Sequence, residues 1–311
     1  MSTESLPPER NAASGLPADP VGVRPAGESS CGTLDLLWLT LVEIRCHLKR
    51  ILVLSFYAGC LYLAAVLLLA CPAGHFLKGT PSWWTELMAP LYWPLMVPVT
   101  FGYSYALLLV VQRQKPKARE VLRPFESLAL YINVLVAGGL GGLGAWATNL
   151  VLGLIPVGVP EAMLPEDPIS RTFIQSLPGI VVGLVWSLPF AFAGLDAVVT
   201  RDRFSRCIAR SVGFARRQGR LFAGFVVIHV AESLVTSWLN ALQKTHSAGL
   251  GDARSSGAIA LPWFAAWIAL LVATLVFGAL VFVLYYREFV WREREAEAPP
   301  PAAPDAPPQD A

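Results

Sequence analysis

Six long runs of apolar residues, separated by short segments that carry most of the charge, organise this chain. The runs cover roughly residues 51–71, 87–111, 128–155, 178–199, 221–242 and 258–286. Each is long enough to cross the ~30 Å hydrocarbon layer of a bilayer as a helix. The polar segments between them then sort by charge. Of the 24 Lys and Arg residues, 20 fall in residues 1–50, 112–127, 200–220 and 287–311, and the others are Lys78, Arg171, Lys244 and Arg254. Basic segments thus alternate with segments nearly free of base, as expected when Lys- and Arg-rich connections stay in the cytoplasm. The pattern predicts an all-α polytopic membrane protein with six transmembrane helices, both termini cytoplasmic, in the inner membrane.

The ends of the chain read differently. Residues 1–32 are rich in Pro, Ser, Ala and Gly, hold no apolar signal core, and are expected to form a disordered cytoplasmic N-terminus. Residues 33–290 make the six-span membrane domain, and 291–311 a disordered Pro/Ala-rich C-terminal tail. Aromatic residues mark the expected membrane boundaries. Trp83, Trp84, Trp93, Trp238, Trp263 and Trp267 lie near the outer one, and Trp38, Tyr285, Tyr286 and Trp291 near the inner one.

Composition excludes an ordinary soluble domain, because 55% of the residues are hydrophobic, 15% are charged, and the mean hydropathy is +0.53. The net charge of +2 adds nothing, since the distribution carries the information. The five cysteines form no disulfide framework. Cys60 and Cys71 would be about 16 Å apart along one helix, beyond bonding reach.

Between and within the runs, several segments have further character. Residues 34–50 place apolar groups ahead of a basic end with Arg45, Lys49 and Arg50, which predicts a helix on the inner surface before the first span; the alternative is an extension of that span. Pro90, Pro94 and Pro98 share one face of the second span, giving a kinked helix or a gating hinge. Gly138 and Gly142, with Gly141 and Ala145, let another helix approach the third span closely, within the bundle or at a homodimer seam.

Two sets of residues are candidate sites. In the fourth connection, Arg203, Arg206, Arg210 and Arg217 share one face of a predicted amphipathic cytoplasmic helix between spans four and five, with Phe204, Cys207, Ile208, Ser211 and Ala215 opposite. Such a basic helix suits the anionic headgroups of the lipid bilayer, each Arg near that surface being worth about 1 kcal/mol; plain topological anchoring is the alternative. In the fifth span, His229, Glu232, Ser233, Thr236 and Asn240 form a polar stripe. An acid at the centre of a span costs about 2.5–3.5 kcal/mol unless it faces protein or water. The stripe is therefore a proton- or cation-linked pathway, or a hydrogen-bonded seam against Thr148 and Asn149 of the third span. Asp196, a turn inside the end of the fourth span, is expected to accept from Arg201, Arg203 or the next helix N-terminus.

Catalytic signatures are missing from the sequence. It holds no HExxH, Walker A or nucleophile elbow and no Cys/His spacing suited to zinc, so no cofactor and no enzymatic activity is expected. Gly249-Leu250-Gly251-Asp252 has the GxGD form of intramembrane aspartyl proteases, but it lies in a short polar outer loop without a partner acid in a neighbouring span. The expected role is non-enzymatic, engaging lipid headgroups or a membrane protein partner and no nucleic acid. The rival is a small-solute, ion- or proton-linked transporter or channel using the span-five stripe.

Four segments carry a resemblance. They are GYSYALLLVVQRQKPKAREVLRPFESL (102–128), LPGIVVGLVWSLPFAFAGLDAVV (177–199), CIARSVGFARRQGRLF (207–222), and Pro262 with the Tyr285-Tyr286-Arg287 exit. Together they resemble a broad bacterial family of six-helix membrane proteins that includes the membrane portion fused to some glycerophosphodiester phosphodiesterases. The resemblance implies a six-helix fold and an inner-membrane location. It brings no catalytic residues, because the phosphodiesterase activity of such proteins belongs to a separate domain.

Overall fold

The computed structural model describes residues 31–76, 93–154, 165–250 and 257–297. Every regular element among them is helical: α1 (Thr33–Phe76), α2 (Trp93–Val111), a 3-10 helix (Ala118–Phe125), α3 (Leu128–Leu154), α4 (Pro168–Ser187), a 3-10 turn (Leu188–Phe190), α5 (Ala193–Thr200), α6 (Phe204–Arg217), α7 (Gly219–Leu250) and α8 (Gly257–Glu297). Among the described residues, six stretches are long and apolar enough to cross a membrane: Thr33–Ala64, Trp93–Val111, Leu128–Val151, Pro168–Thr200, Gly219–Leu242 and Ala265–Arg294. The fold is all-α with six candidate spans. Of the segments expected to be disordered, 1–32 and 291–311, residues 1–30 and 298–311 lie outside the described residues.

The links gather at one end of the bundle. Arg201 pairs with Glu126 at 2.7 Å, Arg217 with Glu293, and the Cys31 N–H donates to Glu288 at 3.2 Å. Residues on the N-terminal side of α1, in two connections and at the end of α8 therefore share one basic end, as alternating crossings require.

Local chemistry explains the irregularities. In α1 a non-helical His47 (φ −122°, ψ 15°) kinks an otherwise continuous helix. Residues 34–46 thus extend the first span through a bend, with Leu36, Thr40 and Glu43 buried while Leu34, Trp38 and Leu41 stay exposed. The Arg292 guanidinium holds this end by donating to the Cys31 carbonyl at 2.7 Å. In α2, Pro98 has no N–H for the Pro94 carbonyl, and the Tyr131 hydroxyl of α3 supplies the missing donor at 3.0 Å. Pro90 lies outside the described residues.

The fourth crossing is two helices rather than one. Pro189 lies in the 3-10 turn between α4 and α5, where its ring and missing N–H interrupt the regular ladder. The last helix runs to Glu297, beyond the expected boundary at 290, because Trp291 is buried and Arg292 bonds Glu288 at 2.8 Å.

The glycines of α3 receive neighbours from the same chain. A Cβ at Gly138 would strike the Phe101 ring, one at Gly144 the Trp186 ring, and one at Gly141 would lie 2.9 Å from the Trp186 carbonyl oxygen. The small-residue face thus admits α2 and α4 inside the bundle.

The core is concentrated toward the basic end, where it is aromatic. Phe192 stacks on Phe282 at 5.1 Å and meets Phe289 at 5.2 Å, and Phe214 stacks on Phe289 at 5.1 Å. Tyr285, Tyr286 and Trp291, expected as part of an inner interfacial belt, are core residues instead. Tyr285 packs on Phe225 of α7, and Tyr286 meets Phe214 of α6 and Phe192. Trp38 and Trp238 remain exposed as boundary residues should, whereas Trp83, Trp84 and the Trp263 side chain lie outside the described residues.

Candidate functional site

The polar stripe of α7 divides. His229 and Glu232 line a cavity of about 320 Å³, while Ser233 and Thr236 are half-buried and Asn240 is exposed, away from it. The other walls come from α2 (Phe101, Tyr103), α3 (Gly138, Gly141, Gly142), the turn after α4 (Phe190) and α8 (Gly278, Phe282). Where a seam between the fifth and third spans was expected, there is a hollow. Thr148 of α3 is already engaged, since the Trp186 indole N–H of α4 donates to its hydroxyl at 2.9 Å. The hydroxyl contact made by α7 is instead Ser237 with Ser176 of α4 at 2.9 Å, a residue pair that hydropathy alone does not single out.

Glu232 is held loosely. Its Oε2 lies 3.6 Å from His229 Nδ1, beyond hydrogen-bond distance, and its side chain keeps 22% of its surface open. The carboxyl lies over Gly278 of α8, where a Cβ would collide with it. The imidazole of His229 is stacked on Phe225 at 5.7 Å with only 6° between the planes. Glycine on one side and a stacked ring on the other leave the acid facing the cavity. It lies near the middle of the Gly219–Leu242 span, a depth at which an acidic side chain must face protein or water.

The four arginines also separate. Arg203 and Arg206 are exposed, and Arg206 is 3.9 Å from Asp202. Arg210 turns inward, because the buried face of α6 is Cys207, Ser211 and Phe214 and Arg210 stands at its edge. Its Nε donates to Asp196 Oδ2 at 2.7 Å, and its Nη2 reaches Asp202 at 2.8 Å and Thr200 at 3.0 Å. Arg217 is occupied by Glu293. The uniform basic face expected from helical spacing is therefore reduced to Arg203 and Arg206.

Asp196 has different partners from those expected. Arg201 turns to Glu126, and Asp196 accepts from Arg210 and, at 2.9 Å, from the Tyr286 hydroxyl. The fold-back of α6 brings Arg210 across. Arg201 makes that reversal with a left-handed backbone (φ 57°), and Asn133 of α3 caps α6 by accepting from the Phe204 N–H at 3.2 Å. Burial first, and then the nearby Asp196 charge, push the Cys207 thiol up to about 12. Burial works to lower the Arg210 guanidinium, but the Asp196 charge outweighs it and raises it.

No group of three or more His, Cys, Asp or Glu residues suited to a metal ion occurs among the described residues. Comparison with family models, with curated proteins and with solved structures returns no match. The GxGD tetrapeptide lies partly outside the described residues.

Proposed function

We propose that this chain is a non-enzymatic inner-membrane protein of the transporter class, with both termini cytoplasmic, that handles a proton and a small solute at Glu232. The observation that carries this reading is the placement of His229 and Glu232 on the wall of a cavity rather than in a closed seam. Three facts support it. The acid has no hydrogen bond among the described residues; the cavity draws on α2, α3, the end of α4 with the turn after it, α7 and α8; and its volume reaches the lower end of small-ligand pockets, about 300–1,000 Å³. The alternation of basic and base-poor connections supports the orientation.

The test does not depend on the identity of the cargo. Proteoliposomes on a solid support receive a rapid pH step, and the transient charge displacement is recorded. Wild type is expected to give a transient that Glu232→Gln lowers to the protein-free trace. Equal transients from wild type and Glu232→Gln would overturn the reading.

Contact with anionic headgroups is a second and smaller role, favoured by the exposure of Arg203 and Arg206. Flotation with vesicles of anionic and neutral phospholipid checks it: Arg203→Gln with Arg206→Gln should lower the anionic preference, and Arg217→Gln should leave it nearly unchanged.

A further inference from the structure

The cavity wall combines one carboxyl group with a surround of aromatic rings and glycine. Phe225 is 6.4 Å from Phe282, and Phe282 is 6.5 Å from Phe101, ring centre to ring centre. We propose that the cavity binds a monovalent organic cation with a compact apolar body, which enters in exchange for the proton of Glu232. This rests on the reading of the cavity as a proton-linked solute site.

Charge decides the sign of the ligand. Ionised Glu232 repels an anion, and it requires a positive partner in so apolar a setting. The exchange balances: the carboxyl O–H releases its proton to water as the cation arrives, and the charge of the site is the same before and after. The groups that could compete for that role are few. On α7 there is His229, whose Nδ1 is 3.6 Å away; across the cavity α2 presents the Tyr103 phenol, engaged with the Ser55 hydroxyl at 2.6 Å. The described lining from α3, the turn after α4 and α8 holds no titratable side chain.

Donor chemistry decides between a bare metal ion and an organic cation. A calcium-like ion takes about six to eight oxygen ligands. The described lining offers a single carboxylate, with no second acid beside it and no group of three or more His, Cys, Asp or Glu among the described residues. Aromatic faces, in contrast, favour a weakly hydrated ammonium. Size agrees, since about 320 Å³ holds far more than a proton or a single water.

The probe is benzyltrimethylammonium, which cannot lose its charge, with neopentylbenzene as its neutral isostere. The full chain in nanodiscs of neutral phospholipid is titrated by calorimetry in two buffers of different ionisation heat. Wild type is expected to bind the cation saturably and to release one proton for each cation bound. Glu232→Gln should weaken binding by about 100-fold and abolish the proton release. Gly278→Ala keeps the acid but pushes it aside, and should weaken binding by about tenfold. Phe282→Leu should weaken it by about threefold while leaving proton release intact. Equal binding by wild type and Glu232→Gln, or equal binding of neopentylbenzene and the cation, overturns the proposal. Absence of cation binding alongside a normal pH-step transient overturns the ligand class alone; loss of that transient as well removes the proton-linked reading with it.

Discussion

Asp196 and Glu232 both sit in helical stretches apolar enough to cross a membrane, yet their surroundings are opposite. Asp196 is 2% exposed and accepts two short hydrogen bonds, from the Arg210 guanidinium and the Tyr286 hydroxyl. The Tyr286 ring that donates to it packs against Phe192, just ahead of α5, and Phe214 of α6. Glu232 has an imidazole at 3.6 Å and a cavity in front of it. The first arrangement spends its charge holding α5, α6 and α8 together. The second leaves its charge available. In an apolar bundle, the presence of an acid therefore says less than the saturation of its lone pairs.

The sharpest way to break this comparison is to remove each acid in turn and measure unfolding in mixed micelles. Asp196→Ala leaves Arg210 and Tyr286 without their acceptor and is expected to cost about 3–5 kcal/mol. Phe192→Ala, which empties the centre of the aromatic core, should cost a similar ~3–5 kcal/mol. Tyr286→Phe, deleting one bond to a charged acceptor, should cost about 1.5 kcal/mol. Glu232→Gln should change stability by less than about 0.5 kcal/mol, because no hydrogen bond is lost. A loss at Glu232→Gln as large as at Asp196→Ala would erase the distinction between the two sites.

A further effect, confined to alkaline pH, concerns Cys207. In the folded protein its thiol stays neutral until about 12, whereas an ordinary thiol ionises near 9.0. The raised folded value contributes stability that is complete below pH 9 and declines as pH rises toward 12. Cys207→Ser should flatten that part of the alkaline stability profile. At pH 8 a maleimide should label exposed Cys46 well before buried Cys207.

The spans were legible because hydropathy and charge alternation act over twenty residues at a time, and small local errors cancel. The neighbours of each helix were not legible. Every span is apolar on most of its surface, so periodicity does not say that α4 stands between Thr148 and α7, or that Trp186 takes the Thr148 hydroxyl. Sequence proximity suggested Arg201 and Arg203 for Asp196. The actual partners lie 14 and 90 residues on, reached through the reversal at Arg201 and the return of α8. His229 and Glu232 were legible as an expensive pair, but the cavity facing them depends on glycines and rings from four other elements. The arginine face failed for a simpler reason. Helical spacing places Arg210 beside Arg203 and Arg206, and only burial of Cys207 and Phe214 shows which edge turns inward.

The contrast between the two acids can be read most directly with dicyclohexylcarbodiimide, an apolar reagent that converts a protonated carboxyl group to a stable N-acylurea. The full chain in nanodiscs is treated and its peptides are analysed by mass spectrometry. Modification is expected at Glu232, with Asp196 untouched and benzyltrimethylammonium protecting Glu232. Modification of Asp196 with Glu232 left intact would contradict the assignment of one acid to the scaffold and the other to an open site.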